Sequence, residues 1–331
     1  MIIEKPVRII ALGKYLPEKV DSSTIEEKFC IPNGWSEQNS GVLSRHQVTF
    51  ESSSYMGARA VEIALRKAQM HINEIDMIIS AAATFDHIIP NQASMIKSEL
   101  TDCLDSSTAT LDMNTTCLSF VSAFEMASRL LDGRQYRNIV IVSSEISSKG
   151  LNPDNWETLT LFGDGAVAAI LQYDENSGSG FIKGGQRTYS EGVDYTMIKG
   201  GGAKFYLKDY PYDQQMHSFQ MNGIKLLKMA RIRIPEFVDW FFNDLQGDIT
   251  DTDVIIPHQA SKTGLMLFRH MFNLKEGQMK ENIKMHGNCI AASIPMVLHD
   301  EIESGGVKRG DICMLIGTSA GFSVGGVLFK Y

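Results

Sequence analysis

Three side chains have the types and settings for acyl chemistry. Cys117 follows Leu111-Asp112-Met113-Asn114-Thr115-Thr116 and heads an apolar run with helical spacing that reaches Leu131 and stops at Gly133. The first turn of a helix presents unpaired N–H groups and the positive end of the peptide dipole. A thiol placed there is expected to have a depressed pKa and to act as a nucleophile. The competing reading is a small buried hydrophobe, which is what most free cysteines are. His258 comes directly off the apolar run Val254-Ile255-Ile256-Pro257. At the carboxyl end of a buried strand it would face the crevice in which open α/β sheets place their sites. Asn288 sits in the glycine-led turn His286-Gly287-Asn288-Cys289, just before a stretch of small residues. Taken singly, the histidine could be a satisfied structural residue and the asparagine could serve only its backbone turn.

The elements that must position these residues alternate. Strands are expected at Val7–Leu12, Ile75–Ala83, Asn138–Ser144 and Ala166–Gln172, and helices at Ser52–Met70, Asn91–Leu100 and Met216–Leu245. Trp35 and Trp156 fall in polar loops, and Phe162-Gly163-Asp164-Gly165 is a tight turn. Such alternation predicts layered α/β architecture with largely parallel strands. The second half echoes the first. Asn73–Ile79 resembles Asp251–Ile256, Asn138–Val142 resembles Asp311–Leu315, and Phe162–Val167 is matched more faintly by Gly321–Val327. The turn-rich stretch from Asp174 to Gly185 marks a boundary, giving halves of 1–174 and 175–331.

The chain of 331 residues is long enough for a large core, and 44% hydrophobic with 21% charged residues is ordinary for a globular protein. A net charge of −8 argues against a nucleic-acid surface. The five cysteines show neither a CxxC nor zinc spacing, so no metal site or disulfide framework is indicated. Charged residues inside the first apolar run argue against a signal peptide, and no run is long enough to span a membrane. A reducing, cytoplasmic setting is expected. The glycines of Lys199–Tyr212 lack the phosphate-loop pattern.

Taken together, the motifs are specific. The sequence resembles the condensing-enzyme branch of the thiolase superfamily, and within it the ketoacyl-acyl-carrier-protein synthase III family. The resemblance runs along essentially the whole chain. Its carriers are Gly13 with Leu16-Pro17, Gly41 with Arg45-His46, Cys117, Phe162-Gly163-Asp164-Gly165-Ala166, Pro257-His258-Gln259-Ala260, His286-Gly287-Asn288 with Ala291–Pro295, and Gly321-Phe322. It implies a five-layered αβαβα fold built from two similar halves and a homodimer. It implies that Cys117 takes an acyl group from a coenzyme A or acyl-carrier thioester. His258 and Asn288 would then stabilise the enolate of a malonyl-type extender as it loses CO2. The backbone N–H groups of Cys117 and Gly321 would hold the oxyanion. No cofactor is implied, and the partners are acyl carrier protein and coenzyme A thioesters.

Several positions depart from the family pattern. Trp35 matches a residue that stacks on the adenine of coenzyme A, but Trp156 stands where an arginine is common. Lys262 and Arg269 form a thin basic patch for an acidic carrier. Ile89 replaces a frequent aromatic residue in the loop that reaches the partner's acyl pocket, which would admit a chain longer than acetyl. Two other outcomes stay open: a Cys-His-Asn hydrolase, and acyl transfer to a nucleophile other than malonyl.

Overall fold

The short apolar runs become strands, and most are buried on both faces. The computed structural model describes residues 1–103, 105–206, 208–210 and 212–331. One sheet contains β1 (Val7–Tyr15), β2 (Met77–Ala81), β3 (Ala109–Met113), β4 (Asn138–Glu145) and β5 (Gly165–Tyr173), in the order β1-β5-β4-β2-β3. The other contains β6 (Gly180–Thr188), β7 (Val254–Pro257), β8 (Ile312–Ser319) and β9 (Ser323–Lys330), in the order β7-β8-β9-β6. The β4 sequence NIVIVSSE shows why: β-branched residues alternate sides, and every position is buried.

The two sheets repeat one topology. Read from β6, the order β6-β9-β8-β7 reproduces β1-β5-β4-β2, with two antiparallel junctions followed by a parallel one. Where β2 pairs in parallel with β3, Ile255 makes a single parallel bridge to Met279. The three sequence echoes therefore occupy matching places. The sheets are mixed rather than largely parallel. Only three residues join β8 to β9, and a connection that short closes only an antiparallel hairpin.

The main helices are α1 (Ser53–Ala68), α2 (Gln92–Ser98), α3 (Ser119–Leu130), α4 (Gly223–Phe242), α5 (Lys262–Met271) and α6 (Ser293–Glu303). Strand alternation sorts them into layers. On β4, Val140 and Val142 face Met56 and Ala60 of α1, while Ile139 and Ile141 face Phe120 and Phe124 of α3. The cluster holding α3 also holds Ile294 and Met296 of α6 and the inner residues Ile256, Leu315 and Val327 of the second sheet. The outer residues Met314, Ile316 and Leu328 pack on Phe237 and Phe241 of α4 and on Leu265 and Phe268 of α5. The result is a five-layered αβαβα sandwich with α3 and α6 in the middle.

Two local expectations need correction. The helix expected over Met216–Leu245 starts only at Gly223, where the Asn222 side chain caps it by accepting from the Lys225 N–H at 3.1 Å. Gln220-Met221 instead pairs with Thr196-Met197. Trp35 and Trp156 each open a short helix, Trp35–Asn39 and Trp156–Leu159, within segments expected to be loop. No helix among the described residues is long and apolar enough to cross a membrane.

Candidate active site

Strand β3 delivers the chain to a strained turn. The Asn114 Oδ1 accepts from the Thr116 N–H at 2.9 Å, and the Ser119 Oγ accepts from the Thr115 N–H at 3.0 Å. These bonds hold Thr116 at φ +53°, a left-handed conformation that β-branched residues avoid. Thr116–Leu118 is one 3-10 turn, after which α3 begins, so Cys117 heads the middle-layer helix as expected.

The electrostatics at Cys117 reverse the expectation. The half-buried thiol is pushed up to about 12, first by burial and then by the Glu145 carboxylate. Backbone N–H groups of Ala320 and of Cys117 itself oppose this without overcoming it. Removing water from a thiolate outweighs two amide dipoles. The resting residue is a thiol. Besides its own, the amide that reaches the sulfur is that of Ala320, while Gly321, at φ +80°, lines the same cavity one residue on.

His258 leaves β7 with its backbone N–H donating to the Ile316 carbonyl on β8 at 2.8 Å. Gly317 makes room for it, since a Cβ there would lie 2.7 Å from the His258 Cβ. The imidazole is buried, and its Nδ1 has no hydrogen-bond partner among the described residues. Burial lowers its pKa to about 4, so it is neutral at physiological pH. With Nδ1 enclosed, Nε2 is the nitrogen left to serve the cavity.

Asn288 is aligned by two glycine turns that dovetail. Its N–H donates to the Leu161 carbonyl at 2.9 Å, and its carbonyl accepts from the Gly163 N–H at 3.1 Å. A Cβ on Gly163 would meet the His286 carbonyl at 2.3 Å, and one on Gly287 would meet the Leu161 carbonyl at 2.3 Å. The Asn288 Oδ1 accepts from the Ile290 N–H at 2.9 Å, leaving Nδ2 with one long contact, 3.5 Å to the Ala260 carbonyl. The amide is therefore oriented with its donor end available.

One cavity of about 610 Å³ joins all three residues. Its remaining lining is mainly apolar, from the Thr196–Ile198 and Phe219–Met221 pair, α4, α5 and the Ser319–Phe322 turn. The size is that of a small-molecule site. Among the described residues, no group of three or more His, Cys, Asp or Glu side chains is arranged to hold a metal ion.

The remaining expected site residues lie outside this cavity. Trp35 and Trp156 meet edge to face, with centroids 6.0 Å apart. Lys262 opens α5, its stem lying over Gly41, and Arg269 pairs with Glu281 at 3.4 Å. Ile89 is 85% exposed and does not reach the cavity of its own chain. The sequence reading missed Glu145, a fully buried carboxylate that ends β4 behind the cavity and whose pKa burial raises to about 7. An acid at the end of an otherwise uncharged strand was the available signal.

Comparisons with known proteins agree along the chain. Residues 111–190 match the family profile described as 3-oxoacyl-[acyl-carrier-protein] synthase III, and residues 243–331 match that of its C-terminal part. The beta-ketoacyl-[acyl-carrier-protein] synthase III of Rickettsia bellii is 29% identical over 326 residues, 98% of this chain and 99% of that protein. The 3-oxoacyl-[acyl-carrier-protein] synthase III from Aquifex aeolicus superposes with a TM-score of 0.88 at 24% identity, over 98% of this chain and 100% of that one. The priming beta-ketosynthase from the R1128 polyketide pathway superposes with a TM-score of 0.87 at 20% identity, over 100% and 98%.

Proposed function

We infer the chemistry of this chain from the family to which it belongs, the 3-oxoacyl-[acyl-carrier-protein] synthase III family of condensing acyltransferases. The observation that carries the residue roles is the single cavity lined at once by Cys117, His258 and Asn288. Residues 1–174 are the half that supplies the nucleophile, and 175–331 the half that supplies the histidine and asparagine.

In the first step the Cys117 sulfur bonds to the carbonyl carbon of an acyl thioester. The carrier's C–S bond breaks, and the cysteine proton leaves with the carrier thiol. In the second step a malonyl-type thioester loses CO2. The enolate oxygen is met by the His258 Nε2–H and the Asn288 Nδ2–H. Donors fixed in a water-poor cavity stabilise such developing charge without reorganising. The enolate carbon then bonds to the acyl carbon, and the Cys117 sulfur leaves and takes up a proton. The N–H groups of Cys117 and of the Ala320-Gly321 turn are the oxyanion donors in this reading. The chemistry asks for no metal or redox group.

Trp35, Trp156, Lys262 and Arg269, which lie outside the cavity lining, are assigned to the carrier or coenzyme A portion of the donor. A homodimer is supported by β3, which pairs on one side only among the described residues, and by exposed Phe85, Ile88 and Ile89 in the loop after β2. In that dimer Ile89 would enter the partner's acyl pocket. The five free cysteines support a reducing, cytoplasmic setting.

Intact-protein mass spectrometry after incubation with acyl-coenzyme A and acyl-carrier thioesters tests the reading. A mass increase on the wild type that is absent from Cys117→Ala supports it, and a β-keto product on adding malonyl carrier completes it. Adduct formation followed only by free acid would instead indicate a hydrolase.

A further inference from the structure

Glu145 is a buried carboxylate that the reaction above does not use. Its Oε1 accepts from the Ala83 N–H at 2.8 Å and from the Ala291 N–H at 3.3 Å. Its Oε2 accepts from the Thr84 N–H at 3.0 Å and from the Thr84 hydroxyl at 2.6 Å. These donors come from different halves of the chain. Ala83 and Thr84 follow β2 and line the cavity. Ala291 follows Ile290, whose N–H fixes the Asn288 side chain. One side chain thus fastens the cavity wall to the turn that aims Asn288. Among the described residues no cation pairs with it, so hydrogen bonds hold the carboxylate without neutralising it.

The titratable groups around it are few. The thiols of Cys117 and Cys289 both feel its charge. Asp164 adds to it at Cys289, Lys14 opposes it there, and the His258 imidazole shares the cavity with Cys117. Above the pH near 7 at which Glu145 ionises, a Cys117 thiolate would be a second anion in a water-poor site, which costs more than keeping the proton on sulfur.

We propose that Glu145 is the positioning residue of this site: its hydrogen bonds lock the Asn288 turn to the cavity wall, and its charge, where ionised, disfavours the Cys117 thiolate. Cys117 is acylated when a bound donor's departing thiolate accepts its proton. The proposal rests on the acyl-Cys117 reading for its role in turnover, but its charge effect needs no acyl donor to be measured.

The test is the pH profile of Cys117 alkylation by iodoacetamide, with Cys117→Ala as the blank for the other cysteines, run alongside loading and condensation by mass spectrometry. Glu145→Gln should move the alkylation profile to lower pH, so that the rate at a fixed alkaline pH, where the wild-type carboxylate is ionised, rises about tenfold for every whole pH step the profile moves. It should also slow condensation relative to loading, because the carboxamide places an N–H against one pair of donors. Glu145→Asp keeps the charge and should keep the wild-type alkylation profile. Thr84→Ala removes the 2.6 Å bond, which also favours the ionised carboxylate, and should slow condensation relative to loading. A Glu145→Gln protein with both the profile and the condensation-to-loading ratio of the wild type overturns the proposal. Where Glu145→Gln does not fold, a displaced profile in Glu145→Asp, or a wild-type condensation-to-loading ratio in Thr84→Ala, overturns it. Loss of acyl loading in the wild type would instead sink the acyltransferase reading and leave the alkylation result standing.

Discussion

The two turns that open onto the cavity are one structure used twice. Asn114-Thr115-Thr116-Cys117-Leu118-Ser119 lies before α3, and Asn288-Cys289-Ile290-Ala291-Ala292-Ser293 lies before α6. In each, the asparagine Oδ1 accepts from the N–H two residues on, at 2.9 Å. In each, that residue is β-branched and held at positive φ, +53° for Thr116 and +49° for Ile290. In each, the serine that starts the helix accepts from the N–H of the residue after the asparagine, at 3.0 Å and 2.9 Å. The difference is in what each turn offers the cavity. The first offers a sulfur at its fourth place and leaves Asn114 exposed; the second has Ala291 there and buries Asn288. The duplicated frame supplies a strained helix entry, and the chemistry comes from which position in each copy faces the cavity. Both helices lie in the middle layer, so both turns reach the same space.

The largest test removes the difference at the fourth place. Cys117→Ala makes the two turns alike there and should abolish the acyl adduct seen by intact mass. Next come the two asparagines. Asn288→Ala should still load but lose condensation by about 10²–10³-fold, the usual cost of a lost oxyanion donor. Asn114→Ala should leave the condensation rate of the loaded enzyme unchanged; equal losses for both would break the distinction between the copies.

A third test concerns the residue that has no counterpart in either turn. The lowered pKa of His258 means that it takes a proton only as pH falls through about 4. Condensation by preloaded enzyme should therefore show no acid limb from this histidine at the ordinary imidazole value. A limb there that vanished in His258→Gln would show a solvated, titrating histidine. The smallest effect is expected from relieving strain in one copy. Thr116 combines positive φ with a buried hydroxyl that has no partner among the described residues. Thr116→Gly should raise stability by up to about 1 kcal/mol in denaturant unfolding. A loss of stability would mean that the left-handed turn is not strained.

Much of this was readable from residue types. The order Cys117, His258, Asn288 and their flanking glycines specify backbone geometry that few other residues tolerate, and such local constraints survive in a sequence. The repeat was readable because buried strands must keep their apolar runs, as Val254–Ile256 and Asn138–Val142 do. Ala166–Gln172 was readable as a strand for the same reason, but its antiparallel pairing was not, because strand direction depends on the connection rather than on the run. The matching of the two asparagine turns went unseen because it lies in hydrogen bonds and one dihedral angle, with only the asparagine and serine shared.

What the chain alone determined, then, is which groups exist and which local conformations they demand: a thiol at a helix head, a histidine off a strand end, an asparagine between glycine turns. Tertiary structure decided the protonation of those groups and the company they keep. Burial beside Glu145 makes Cys117 a resting thiol where the helix head alone pointed to a thiolate, and burial makes His258 neutral. A helix dipole is a local property of consecutive residues, whereas desolvation and the field of a carboxylate remote in sequence are set only when the layers close around them.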